Sequence, residues 1–280
     1  MTSVADAIRH AASELSATSD TARLDAEVLM AHAIGVTRSE MLVHHMREVA
    51  PAEYSDFIVR RTMHEPVAYI TKSAEFYGRQ FAVEPGVLIP RPDSEVLIDA
   101  ALELCPDPRR VLDLGTGSGA LLFTILMERP KATGIGIDAS RDAIEIALDN
   151  GVGFDAEHHL CDHWEWSLMQ RDWQKDGWAK DLGVFDLIVC NPPYVEDNAP
   201  LDPDVRDFEP AAALFAGPDG LDDYRILIPQ LRALMTIDAM AIFEIGATQA
   251  DAVSELAEKA GFVTVLRHDL ANRPRVLILS

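Results

Sequence analysis

From Arg110 onward, short apolar runs alternate with helical stretches, and this alternation restricts the possible fold more than any other feature. Val111-Leu112-Asp113-Leu114 passes into Gly115-Thr116-Gly117-Ser118-Gly119, and a helix follows to about Glu128. Thr133–Ile137 then ends in Asp138, and Ser140–Asn150 reads as a second helix. Continuous aliphatic and β-branched runs are typical of strands buried on both faces. Their alternation with helices implies a parallel sheet covered on both sides. Trp166–Gln170, Phe185–Cys190 and Met240–Ile245 extend the series. A helix carrying Leu227, Leu231 and Leu234 on one face precedes the last of these, and Ala250–Ala260, stopped by Gly261, follows it. Val263–Arg267 and Arg275–Leu279 then succeed each other with no helix between them, which adds an antiparallel edge. The expected core is an α/β, Rossmann-like seven-stranded sheet.

The glycine-rich turn constrains what such a sheet binds. Glycines allow a tight turn and close approach of a ligand to the backbone, and the helix that follows offers free N–H groups. Asp138 lies about twenty residues on, where an acid accepts hydrogen bonds from ribose hydroxyls. Strand, turn, helix, strand and acid in this order point to an adenosine-containing cofactor. The G-x-G-x-G spacing of Gly115, Thr116, Gly117, Ser118 and Gly119 favours S-adenosylmethionine over NAD, although the two patterns overlap. Asp113 can take the cofactor's ammonium, or else close a loop. Asp172-Trp173 lies just past the Trp166–Gln170 run, where the acid can accept adenine amino hydrogens and the indole can stack on the base. Asp162-His163-Trp164 competes for that role. His158, His159, Cys161 and His163 lack the spacing of a structural zinc set, and no metal is expected.

The run Phe185–Cys190 stops at Asn191-Pro192-Pro193-Tyr194. Two prolines cannot continue a strand ladder, so Asn191 falls at a strand's carboxyl end, where open α/β sheets bind ligands. The Asn191 carboxamide oxygen and the Pro192 carbonyl can each accept one N–H of an amide or amino group. Pro193 stiffens the turn, and Tyr194 can cover the reacting centre. Further upstream, Arg91, between Pro90 and Pro92, can reach a carboxylate or cap a helix end.

The first 74 residues read differently. Val4, Ile8, Ala11 and Leu15 recur at helical spacing, as do Leu24, Val28 and His32 or Ala31. Thr37-Arg38-Ser39-Glu40 forms a capping box, Pro51 suits a first helical turn, and Pro66 closes the helix that follows. About four helices result, with no catalytic constellation among them. The expected organisation is a helical docking domain at 1–74, a β-hairpin linker at 75–90 turning at Gly78, and a catalytic domain at 91–280.

The formal charge is −22. Residues 1–74 hold 7 Lys and Arg against 10 Asp and Glu, so residues 75–280 carry 17 against 36. Nucleic-acid binding takes most of its affinity from Lys and Arg on phosphates, so this balance argues against a nucleic-acid partner. No apolar run is long enough to span a bilayer, and the N-terminus lacks a basic segment followed by an apolar one. Cys105, Cys161 and Cys190 form no disulfide framework. A cytoplasmic monomer is the expectation.

Taken together, these stretches resemble the protein-(glutamine-N5) methyltransferase family, in the branch that acts on peptide chain release factors. The resemblance runs through Leu24–Glu27, Glu65–Ile70, Leu88–Glu95, Leu112–Gly119, Asn191–Tyr194, Val205–Pro210 and Asp269-Leu270. It implies a class I S-adenosylmethionine-dependent methyltransferase with an N-terminal helical bundle. The implied acceptor is the glutamine of the Gly-Gly-Gln motif of a class 1 release factor, with the helical domain helping to dock it. Lys72 stands where the family commonly has glycine, and the segment between Asn150 and Asp172 is longer than usual. The alternatives are a ribosomal-protein glutamine, as in a sister family, and an amino group of a flipped nucleic-acid base.

Overall fold

The computed structural model describes residues 2–158 and 165–280. Ser3 accepts the backbone N–H of Asp6 and opens α1 (Val4–Leu15), which buries the expected Val4, Ile8, Ala11 and Leu15. α2 (Ala22–Ile34) ends at Gly35, left-handed at φ 79°, whose N–H bonds the carbonyls of Ala31 and His32. Thr37 caps α3 (Arg38–Glu40) by accepting the Glu40 N–H, and one π-helical turn, Met41–His45, continues it. α4 (Tyr54–Thr62) and α5 (Val67–Thr71) follow.

Two expectations for this region change. Pro66 caps the start of α5; it does not end α4, which stops at Thr62 ahead of the left-handed His64. The inward face of α2 also differs, because Leu24 is 45% exposed while Asp25 and Glu27 are buried. Arg61 on α4 pairs with Asp25 at 2.7 Å. Arg23 and Arg38 grip Glu27 from either side at 2.5 and 2.8 Å. Carboxylates gripped in this way can sit on a buried face where an unpaired charge could not.

The chain divides into two compact units, residues 1–73 with 201–208, and residues 74–200 with 209–280. In the second unit β1 (Ser73–Phe76) and β2 (Arg79–Ala82) form a hairpin that turns at Tyr77 and Gly78, both at positive φ. A 3-10 turn, Pro92–Ser94, leads into α6 (Glu95–Leu104). Then come β3 (Arg110–Leu114), α7 (Ala120–Glu128), β4 (Thr133–Asp138), α8 (Arg141–His158), β5 (Trp166–Gln170) and β6 (Phe185–Cys190). α9 (Pro203–Phe208) belongs to the first unit. α10 (Asp222–Leu227), β7 (Met235–Glu244), α11 (Ala250–Lys259), β8 (Thr264–His268) and β9 (Pro274–Leu279) complete the order.

Seven strands form one sheet in the order β5-β4-β3-β6-β7-β9-β8. β3 to β7 are parallel, and β9 runs antiparallel to both β7 and β8. Alternate residues serve opposite faces. Leu112, Ile188, Ala241 and Leu277 join one buried cluster, while Val111, Val189, Ile242 and Ile278 join the other. Each fully buried aliphatic side chain contributes roughly 1.5–3 kcal/mol.

α8 runs well past the expected end at Asn150. Gly151 does not stop it, because a Cβ there would lie 2.6 Å from Phe123 and 2.8 Å from Trp166. This glycine therefore lets two aromatic side chains close on the helix. α10 continues as a 3-10 run, Ile228–Leu234, that keeps Leu227, Leu231 and Leu234 buried. β7 begins at Met235, earlier than its apolar run indicates, because Thr236, Ile237 and Asp238 stand at its less buried end.

Candidate functional site

The carboxyl ends of all five parallel strands deliver polar groups. β3 leads into Gly115, β4 ends in Asp138, β5 leads to Asp172 and Trp173, β6 to Asn191, and β7 ends in Glu244. A cleft of about 460 Å³ lies there, and Asn191, Asp138, Trp173, Ser94 and Arg91 are among its lining.

One wall is the glycine turn. Gly115, Gly117 and Gly119 lie at φ 74°, 55° and 81°, so every second residue adopts a conformation that costs other residues steric strain. The N–H groups of Gly115 and Thr116 both reach the Ile137 carbonyl at 2.9 Å, which ties the turn to β4. The Gly117 N–H donates to Asp138 Oδ2 at 3.0 Å, and the Ser140 N–H to Oδ1 at 2.8 Å. Burial pushes the Asp138 carboxyl above its ordinary range, and these N–H groups pull the other way. From behind, Asn150 Nδ2 donates to the Ser118 carbonyl at 2.9 Å, and the same side chain bonds the backbone of Ala82. A Cβ at Gly119 would lie 2.4 Å from Phe123, and one at Gly115 would lie 3.1 Å from the Trp173 ring.

Asp113 takes the second of its two expected roles, closing the loop. Its carboxylate is fully buried, accepts the Thr116 hydroxyl at 2.7 Å and does not line the cleft. Burial pushes it up to about 7. Alternation along β3 turns this side chain into the protein, so it secures the turn from inside and is not placed to meet a cofactor's ammonium.

The opposite wall carries Trp173 and Asp172. The Trp173 indole N–H donates to Asp223 Oδ1 on α10 at 2.6 Å, which fixes the ring plane beside the turn. Asp172 accepts the Gln174 N–H at 3.0 Å and pairs with Lys175 at 3.2 Å. The Gln174 N–H is the main influence holding its carboxyl below the usual range. The competing Asp162-His163-Trp164, and His159, Cys161 and His163 of the histidine and cysteine group, lie outside the described residues. Glycine backbone, an acid at the end of the neighbouring strand and an indole packed beside the turn fit an adenosine-containing cofactor.

At the third wall the expected tetrad separates. Asn191 and Pro193 line the cleft, whereas Pro192 is buried and the partly buried Tyr194 is not part of the lining. The Tyr194 hydroxyl donates to Glu244 Oε1 at 3.2 Å, and the ring, which the sequence suggests covers the reacting centre, is not among the lining of the cleft. The Tyr194 carbonyl accepts from Gln249 Nε2 at 2.9 Å. Asn191 Nδ2 donates to Ser94 Oγ at 3.2 Å, and the Ser94 hydroxyl donates to Glu244 Oε2 at 2.5 Å. Arg91 reaches a carboxylate, that of Glu209, which also accepts the Ile89 N–H at 3.2 Å.

Sequence reasoning passes over Ser94, Glu244, Asp223 and Gln249. Glu244 alone carries a visible signal, as a lone acid inside the apolar run Met240–Ile245. Buried acids without an evident partner mark polar clusters.

The sheet order and this cleft define a class I methyltransferase, an enzyme that uses S-adenosylmethionine. Residues 6–71 match the PrmC N-terminal domain, and residues 93–192 match a methyltransferase domain. The chain is 37% identical over 267 residues to the release factor glutamine methyltransferase of Caulobacter vibrioides, covering 92% of this chain and 89% of that one. It is 34% identical over 284 residues to that of Clostridium acetobutylicum, covering 98% and 97%. A methyltransferase from Pyrococcus furiosus shares the fold with a TM-score of 0.52 at 14% identity, covering 80% of this chain and 98% of that one. The chain belongs to the release factor glutamine methyltransferase family.

Proposed function

We propose that this enzyme methylates the side-chain amide nitrogen (N5) of the glutamine in the Gly-Gly-Gln motif of class 1 peptide chain release factors. The observation that carries the reading is Asn191. Its carboxamide lines the cleft with the nitrogen already engaged by Ser94, which leaves the oxygen to accept an N–H.

A glutamine amide nitrogen is a poor nucleophile, because its lone pair is delocalised into the carbonyl. Asn191 Oδ1 takes one N–H and the Pro192 carbonyl takes the other, a role that falls to its backbone oxygen alone because the residue is otherwise buried; together they orient the nitrogen. Positioning and fixed dipoles supply most of the rate enhancement. Bound S-adenosylmethionine supplies the electrophilic methyl group. Gly115, Thr116, Gly117, Ser118 and Gly119 hold its amino-acid and ribose side, Asp138 accepts the ribose hydroxyls, and Trp173 with Asp172 borders the adenine. No side-chain base is needed before transfer, because the amide becomes acidic on methylation and loses its proton afterwards.

The helical unit helps to dock the factor. The enzyme works as a cytoplasmic monomer without direct nucleic-acid contact, a reading that the −22 charge supports. Among the described residues, no helix is long and apolar enough to cross a membrane. The test is transfer of label from S-adenosylmethionine to a purified release factor, beside a factor whose Gly-Gly-Gln glutamine is alanine. Label on the native factor alone is the expected result. No label on either, with cofactor binding intact, overturns it.

A further inference from the structure

Glu244 is 1% exposed and Ser94 is 3% exposed, yet neither belongs to the tetrad or to the glycine turn. Their hydrogen bonds impose an order. Burial pushes the Glu244 carboxyl above its ordinary range, and the Ser94 hydrogen bond, the charge of Arg275 and the Tyr194 hydrogen bond pull the other way. When Glu244 is ionised it has no proton to give, so both hydroxyls that face it must donate: Ser94 to Oε2 and Tyr194 to Oε1. A serine hydroxyl carries one proton. Once that proton points at Glu244, Ser94 Oγ can only accept from its other neighbour. That neighbour is the Asn191 carboxamide, 3.2 Å away, which must therefore present its NH2 to Ser94 and its oxygen to the cleft. With Glu244 ionised, this polarity follows from proton counting and is independent of how the amide's nitrogen and oxygen are assigned.

We propose that Ser94 and Glu244 are positioning residues that fix which end of the Asn191 carboxamide faces the acceptor. Without the chain from Glu244 through Ser94, the two ends of Asn191 are nearly equivalent in shape. The flipped form points an NH2 at the acceptor's own N–H groups, donor against donor. Tyr194 occupies the second oxygen of Glu244, and the Tyr224 hydroxyl holds the Glu244 carbonyl at 2.7 Å, so the carboxylate has little freedom to turn. The inference rests on the proposed glutamine reading of the cleft for its catalytic consequence, but the amide orientation can be read without any acceptor.

Two measurements on the full chain test it. In 15N-labelled protein, the Asn191 side-chain NH2 resonances, identified by their loss in Asn191→Ala, are expected to shift in Ser94→Ala and in Glu244→Gln. Unchanged resonances in Ser94→Ala overturn the inference whatever the substrate proves to be. In the labelled-methyl assay, Ser94→Ala is expected to lower kcat about tenfold with the cofactor Kd within about twofold of wild type. The same substitution in the Asn191→Ala background is expected to cause no further loss, because the group it positions is gone. An undiminished second loss assigns Ser94 a general structural role and overturns the inference. Should Glu244→Gln melt before assay temperature, Ser94→Ala decides alone. Absence of label with the wild-type enzyme counts against the proposed substrate, and the resonance measurement still decides the positioning.

Discussion

At the scale of single residues, two side chains of the cleft have separable duties. Asn191→Ala is expected to lower kcat by about 10²-fold or more while leaving the cofactor Kd nearly unchanged. Asp138→Ala is expected to do the reverse, weakening cofactor binding about tenfold or more through lost charge-assisted bonds. Isothermal titration beside single-turnover kinetics separates the two. Asp113 has a different signature. Burial raises its carboxyl from 3.8 to about 7, so between those values the folded chain keeps a proton that the unfolded chain has released. Its stabilising contribution is therefore full below about pH 3.8 and is lost as pH rises towards about 7. Asp113→Asn is expected to flatten the fall in stability over that interval, as measured by urea denaturation across the range. Asn191 was legible in the sequence because two prolines visibly stop a buried run beside it. Ser94 and Glu244 were not, because a hydrogen bond between residues 150 positions apart leaves no local pattern.

At the scale of elements, α2 shows how polarity hides burial. Its apolar spacing selects Leu24, but the paired Asp25 and Glu27 occupy the protected face. Asp25→Ala would leave the Arg61 guanidinium buried without its nearest partner and is expected to cost about 3 kcal/mol. Leu24→Ala, at an exposed position, is expected to cost far less, and thermal melts of the two variants compare them. Strands were easier to locate than helix ends. β5 and β6 both keep their expected bounds: β6, buried at every position but Asp186, coincides with a nearly continuous apolar run, and β5, at the sheet edge and only partly buried, is marked by Trp166, Leu168 and Met169. α8 runs past its expected end at Asn150 and through Gly151. Only the packed structure reveals Phe123 and Trp166 closing on it.

At the scale of the whole molecule, strand–helix alternation and the final pair of strands foretold a seven-stranded sheet, and the glycine turn foretold the cofactor class. The inclusion of residues 201–208 in the first unit was not foretold, since nothing in their composition marks them as belonging to residues 1–73. Net charge acts over the same scale. At −22 the folded chain repels itself, and screening relieves that repulsion. The melting temperature is expected to rise as salt increases from about 0.01 M to about 0.15 M, over which the Debye length falls from about 30 Å to about 8 Å. A fall measured by calorimetry would mean that the ion pairs outweigh the repulsion.

The placement of β9 between β7 and β8 sets an order of events during translation. β8 leaves the ribosome before β9, yet among the described residues β9 is the one strand it pairs with in the sheet, and that pairing must wait for β9. Val276 of β9 is also the residue that pairs with Glu244. The nascent chain can therefore complete its glycine turn and its Asn191 turn while the edge beside Glu244 stays open. β9 then enters between two strands that precede it in the chain and closes the edge beside Glu244.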